Sequence, residues 1–143
     1  MNELKIPKLK KIDPNKKKKK KILLLSDDIR MHSGIATQGK EFVMGTLHQY
    51  DWVQIGGAIN HPDKGKIVNM SEAVTNEYGI KDVYLKIYPV SGYGDAELVR
   101  QIMEMEKPDA IMHFTDPRFW IWLYQMEHEI RQHIPIMYYN IWD

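Results

Sequence analysis

The sequence contains no cysteine. That excludes a disulfide framework, thiolate metal sites and thiol nucleophiles, and it fits a reducing compartment, so a cytoplasmic location is expected. No stretch approaches the roughly 18 to 20 uninterrupted apolar residues of a membrane-spanning helix, and the lysine-rich start lacks the apolar core of a secretory signal. A soluble, unexported protein without a transmembrane segment is expected. Neither G-x-G-x-x-G nor G-x-x-x-x-G-K-[ST] occurs, so no dinucleotide fingerprint or phosphate-cradling loop is assigned. None of the six histidines forms an H-E-x-x-H pair, and neither a metal nor a cofactor is assigned.

Positive charge is scarce outside one segment. Residues 1–21 hold ten lysines and two acids, whereas the remainder carries ten Lys plus Arg against seventeen acids, so a basic start precedes an acidic body. With Pro7, Pro14 and the run Lys16 to Lys21, residues 1–21 bury too little apolar surface to offset their ordering entropy and read as a disordered tail. The run could engage nucleic acid or an anionic surface through phosphates. It lacks the aromatic interleaving of single-strand binders, which favours a solvated leader ahead of a hydrophobic strand.

What is present from residue 22 onward is an alternation of short apolar runs with amphipathic stretches. This is the pattern of βαβ units and predicts an α/β fold, a Rossmann-like open, mostly parallel sheet with helices on both faces. Strands are predicted at Ile22 to Ser26, Asp51 to Gly56, Asp82 to Val90 near one sheet edge, Asp109 to Phe114 in a central place, and from Pro135 onward. Helices are predicted over Gly34 to Gln49, from a cap at Asp95 to just before Pro108 with Leu98, Ile102 and Met105 on one side, and from Asp116-Pro117 to about His133. Residues 58–80 are left unassigned, with a short helix as one option in "NMSEAVTNEYG".

In such sheets ligands bind outside the carboxyl ends of the strands, near the point where strand order reverses. The stretches "SDDIRMHSG", "GGAINHP", "VSGYGD", "FTDPRFW" and "NIWD" therefore gather on one edge, with His32, His61, Trp120 and Asn140 among them. Ser33, Gly34 and Ile35 open a helix whose free amides and dipole suit an anionic or sugar-like ligand; close strand-to-helix packing would equally account for the glycine. Asp28, beside Asp27, invites comparison with Mg²⁺-holding acid pairs, but the later lysine such receiver domains need is missing. His113 sits in an alternating apolar strand, where a hydrogen-bonded core histidine competes with a catalytic one. Asp116 is either a functional acid or a helix cap, and Trp120 either packs or stacks on a sugar face.

Together "ILLLSDD…HSGIATQGKEFV", "KPDAIMHFTDPRFW" and "IPIMYYNIWD" resemble the N-terminal domain of a GT-B glycosyltransferase, of the retaining family 4 type that includes phage-encoded members. The resemblance spans about residues 21–143. It implies that Ser33 and Gly34 lie at an interdomain cleft near donor phosphates or acceptor, with Ser33-Gly34-Ile35 replacing the family's Gly-Gly-aliphatic step. It further implies a nucleotide-sugar donor, a hydroxyl acceptor, and a second Rossmann-like domain in cis or in trans that these residues do not supply. His113 and Asp116 are the catalytic candidates; Ser33, Gly34, Ile35, Asp28, Trp120 and Asn140 are the substrate-binding ones. Two other readings stay open: a stand-alone nucleotide-binding or flavodoxin-like module, and a nucleic-acid-associated protein acting through its lysines.

Overall fold

The computed structural model describes residues 19–57, 66–90 and 92–140. The elements in chain order are β1 (Lys20–Asp27), α1 (Gly34–Thr46), β2 (Tyr50–Gly57), β3 (Val68–Asn69), α2 (Ser71–Tyr78), β4 (Leu85–Pro89), α3 (Ala96–Glu106), β5 (Ala110–Thr115), a 3₁₀ turn (Pro117–Phe119), α4 (Ile121–Arg131) and β6 (Ile136–Asn140). The sheet order is β3-β4-β2-β1-β5-β6, parallel throughout except for the two-residue β3. The architecture is the expected one: an α/β fold with a Rossmann-like open sheet.

Strand parity sorts the core into two layers. Leu23, Leu25, Val53, Ile55 and Ile111 face α3 and α4, where Val99, Ile102, Leu123, Met126 and Ile130 cover them. Leu24, Trp52, Leu85, Ile87 and Phe114 face the opposite way, toward Val43 and Leu47 of the α1 segment and Val74 of α2. Strands buried on both faces read as near-continuous apolar runs, which is what "ILLL" is.

Several expectations shift in detail. Lys20 and Lys21 are not tail but the first residues of β1, and Lys19 also joins the fold: its Nζ donates to the Leu47 carbonyl at 2.9 Å and to the Asp82 carbonyl. A cation at the last carbonyls of α1 complements the negative end of the helix dipole. Residues 1–18 lie outside the described residues. In α3 the buried line is Val99, Ile102 and Glu106, with Met105 exposed. The helix is rotated from the expected Leu98–Met105 face because Glu106 is drawn inward. Its carboxylate accepts from Tyr84 Oη at 2.7 Å, Tyr88 Oη at 2.8 Å and Lys21 Nζ at 3.2 Å. Burial would raise this carboxyl, and the three donors outweigh it and hold it below its usual range.

Asp95 caps α3 as expected, accepting from the Leu98 amide at 2.8 Å. Asp116 does not cap α4. Its carboxylate turns to the Arg118 amide and guanidinium, closing the short 3₁₀ turn, so α4 starts only at Ile121 with Trp120 in the capping position. The unassigned region contains β3 and α2, and "GGAINHP" beyond Gly57, with His61, lies outside the described residues.

Candidate functional site

Chain order runs outward from β1 through β2 to β4, then jumps back across the sheet to β5 and β6. Strand order therefore reverses between β1 and β5, and the crevice beyond their carboxyl ends is where such folds take ligands. Asp27 closes β1 and Thr115 closes β5, side by side on the α3/α4 face by the parity of Leu25 and His113.

Asp27 is the centre of this crevice. Its Oδ1 accepts from Thr115 Oγ1 at 3.4 Å and its Oδ2 from Ser33 Oγ at 3.3 Å. Both contacts are long, and a carboxylate has about four acceptor positions, so most of its capacity remains for a ligand. Burial pushes its pKa above the usual carboxylate range, and the two hydroxyl donors offset only part of that. The surrounding loop is rigidly held: the buried Gln54 amide donates to Ser26 Oγ and to the Asp27 carbonyl, each at 2.7 Å, and accepts from the Ile29 amide at 3.1 Å.

Ser33 is the N-cap of α1 and accepts from the Ala36 amide at 3.1 Å while donating to Asp27. A methyl group built on Gly34 would meet nothing within 4 Å. Tight packing is thus not what the glycine serves, and the helix start is open to solvent. The Asp27 carboxylate, bonded to the Ser33 cap, puts a negative charge near that helix end and disfavours an incoming anion. Ile35 is part of the apolar layer beneath α1 instead of lining the crevice.

An aromatic wall stands at the neighbouring end of β2, whose Gly57 pairs with Asp27 and packs against Tyr93. Tyr93 stacks on Phe119 with centroids 5.1 Å apart and planes 12° from parallel, and Phe119 is half exposed. The Tyr93 hydroxyl is raised, first by burial and then by the charges of Asp27 and Asp116. The Gly56-Gly57 end of β2 makes this wall possible. A Cβ on Gly57 would lie 2.8 Å from Tyr93 Cδ1 and 2.9 Å from the Gly92 carbonyl, and one on Gly56 would lie 2.7 Å from Asp28 Oδ2.

The remaining sequence candidates fall in different places. Asp28 is fully buried and committed to Arg30, whose Nε and Nη2 reach its carboxylate at 3.0 and 2.7 Å. Asp116 stands at the crevice but is held by Arg118, whose hydrogen bonds keep its carboxyl below the usual range. Trp120 is wholly buried, so in this conformation it cannot offer a face to a sugar; the ring presented at this loop is Phe119. His113 is equally buried, its pKa lowered to about 4 by burial, and neither ring nitrogen has a hydrogen-bond partner among the described residues. His113 is thus a core histidine, as one of the two sequence alternatives has it, with no hydrogen-bond partner among the described residues. Asn140 enters by backbone register beside Thr115.

Thr115, Tyr93 and Phe119 are not among the site candidates read from sequence, and Asp27 enters there only as the neighbour of Asp28 in an acid pair. Strand parity would have found Asp27, since Leu23, Leu25 and Asp27 share one face. Among the described residues no group of three or more His, Asp or Glu is placed to hold a metal ion, and no helix is long and apolar enough to cross a membrane. A surface cavity of about 490 Å³ between α3 and α4 lies at the amino ends of β5 and β6, away from the crevice. In comparison with known proteins, the chain matches no family model, no curated protein and no solved structure.

Proposed function

We propose that the crevice between β1 and β5 binds a neutral polyhydroxyl ligand, and that the domain is the acceptor-side half of a GT-B type glycosyltransferase. One observation carries the reading: a buried carboxylate with spare acceptor capacity, Asp27, ends β1 at the switch point of the sheet, and its register partner Gly57 packs against Tyr93 of the Tyr93–Phe119 stack. Carboxylates and hydroxyls take sugar O–H groups, and an aromatic face takes the C–H face of the ring.

In such an enzyme Asp27 would accept the proton of the attacking acceptor hydroxyl, a task for which a carboxyl with raised proton affinity is suited. Asp116, tied to Arg118, is the weaker base of the two. The nucleotide-sugar donor would be held by a second Rossmann-like domain in cis or in trans, because the Asp27 charge at the start of α1 repels phosphate. The same repulsion disfavours a stand-alone nucleotide-binding module.

Titration of the 143-residue chain with methyl glycosides and with a nucleoside diphosphate, followed by NMR, tests the reading. Glycoside binding that shifts residues around Asp27 and is lost in Asp27→Asn supports it. Nucleotide binding at the same amides with no response to glycosides overturns it.

A further inference from the structure

Directly beneath the crevice lies a group of buried polar atoms that the site as described does not use. His113 Nδ1 and Nε2, Trp120 Nε1 and Trp122 Nε1 are all shielded from solvent and have no hydrogen-bond partner among the described residues. They belong to one contiguous cluster. The His113 ring lies 5.1 Å from Trp120 and 5.5 Å from Tyr138, and Trp120 lies 5.4 Å from Trp122.

Buried polar groups in folded proteins are nearly always satisfied, by protein, water or ligand. Edge-to-face ring contacts, such as the 87° arrangement of His113 and Trp120, can serve an N–H at most weakly. They do nothing for the lone pair of a neutral imidazole. Burial keeps His113 neutral, so one ring nitrogen is an acceptor, while the two indole groups only donate. A guest that completes the cluster must both accept from an indole N–H and donate to the imidazole. A hydroxyl does both; a carbonyl or an anion does not.

The cluster is continuous with the crevice. Trp120 contacts Tyr93, on the crevice wall, at 5.4 Å on one side and His113 on the other. His113 is two residues before Thr115 on the same face of β5, and Thr115 bonds Asp27. We propose that His113 and Trp120 form a hydroxyl-binding subsite at the floor of the crevice, filled by an O–H group of an ordered water or of the bound ligand. The ligand as source rests on the polyhydroxyl reading above; the subsite itself does not.

The test is solution NMR of the full ¹⁵N-labelled chain, reading cross-peaks between indole N–H protons and water, with Trp120→Phe and Trp122→Phe identifying the signals. The expected result is a cross-peak from Trp120 Nε1–H to slowly exchanging water, and a lower melting temperature for His113→Leu, which strands the guest and the indole donors. Addition of methyl glucoside separates the sources. Replacement of the water cross-peak by one to a sugar hydroxyl assigns the subsite to the ligand. A persistent water cross-peak assigns it to structural water, and if the sugar also leaves the Asp27 amides unmoved, the polyhydroxyl reading falls while the subsite stands. Absence of any cross-peak, together with a His113→Leu variant at least as stable as the parent, describes a dry cluster and overturns the proposal.

Discussion

Gly57 and Tyr93 are packed so closely that a single added carbon on Gly57 would come within 2.8 Å of the Tyr93 ring. The end of β2 is thereby a mould for the loop that carries the aromatic wall.

Gly57→Ala is expected to push that loop outward. The carbon would also meet the Gly92 carbonyl at 2.9 Å, and backbone yields less readily than a side-chain tip, so an overpacking cost of about 1–3 kcal/mol is expected. Chemical denaturation measures it, and glycoside affinity falls with it. Retention of both full stability and binding would mean that the wall does not depend on the mould.

Phe119→Ala separates binding from folding. Phe119 is half exposed but stacks on Tyr93, so its loss should cost about 0.5–1.5 kcal/mol of stability without unfolding the domain, and removal of the exposed stacking face should weaken glycoside binding by a further ~0.5–1.5 kcal/mol, several-fold in affinity. Isothermal titration beside a melting curve reads the two effects independently.

Asp27→Asn is expected to stabilise the fold at neutral pH while abolishing ligand response. The folded-state pKa of Asp27 is raised, so the native state binds its proton more tightly than the unfolded chain, and ionisation costs stability as pH rises through that raised value. The asparagine variant removes this cost. Its advantage over the parent should be largest at pH 7 and should shrink as pH falls toward 3.8, which unfolding curves at several pH values would show.

His113 has the opposite sign. Its folded pKa is lowered to about 4 from 6.5, so its contribution is fully present above pH 6.5 and is lost progressively as pH falls toward 4. The full shift corresponds to a loss on the order of 3 kcal/mol. His113→Leu should flatten stability against pH in that window, and an unchanged slope would show that other groups dominate it.

The sheet and its helices were legible because their signals are local: an unbroken apolar run for β1, the Asp95 cap and the Pro108 stop for α3, alternation for β4. What was not legible depended on partners distant in sequence. Asp116-Pro117 is a sound helix start by composition, yet Arg118 captures the carboxylate and delays α4. Met105 and Glu106 compete for the inward place on α3, and the tyrosines of β4 and its approach, with Lys21 and Lys86, decide for the acid. The crevice was located by the topology rule, but its occupants were misjudged: Asp28 looked as available as Asp27 until Arg30 was seen to close on it.

The run Lys16 to Lys21 changes character partway along. Lys19 fastens the end of α1 to the turn at Asp82, the Lys21 amide donates to Asp109 Oδ2 at 2.8 Å, and its ammonium reaches Glu106. A deletion of residues 1–21 would therefore strip a clamp and the opening of the central strand along with the preceding basic segment. Any loss of polyanion binding in such a variant would report a damaged sheet as readily as a missing charge. A cut after residue 18 leaves the clamp in place, and acetylation of Lys19 would act as a stability lesion, loosening the base of the domain while leaving the basic segment before it untouched.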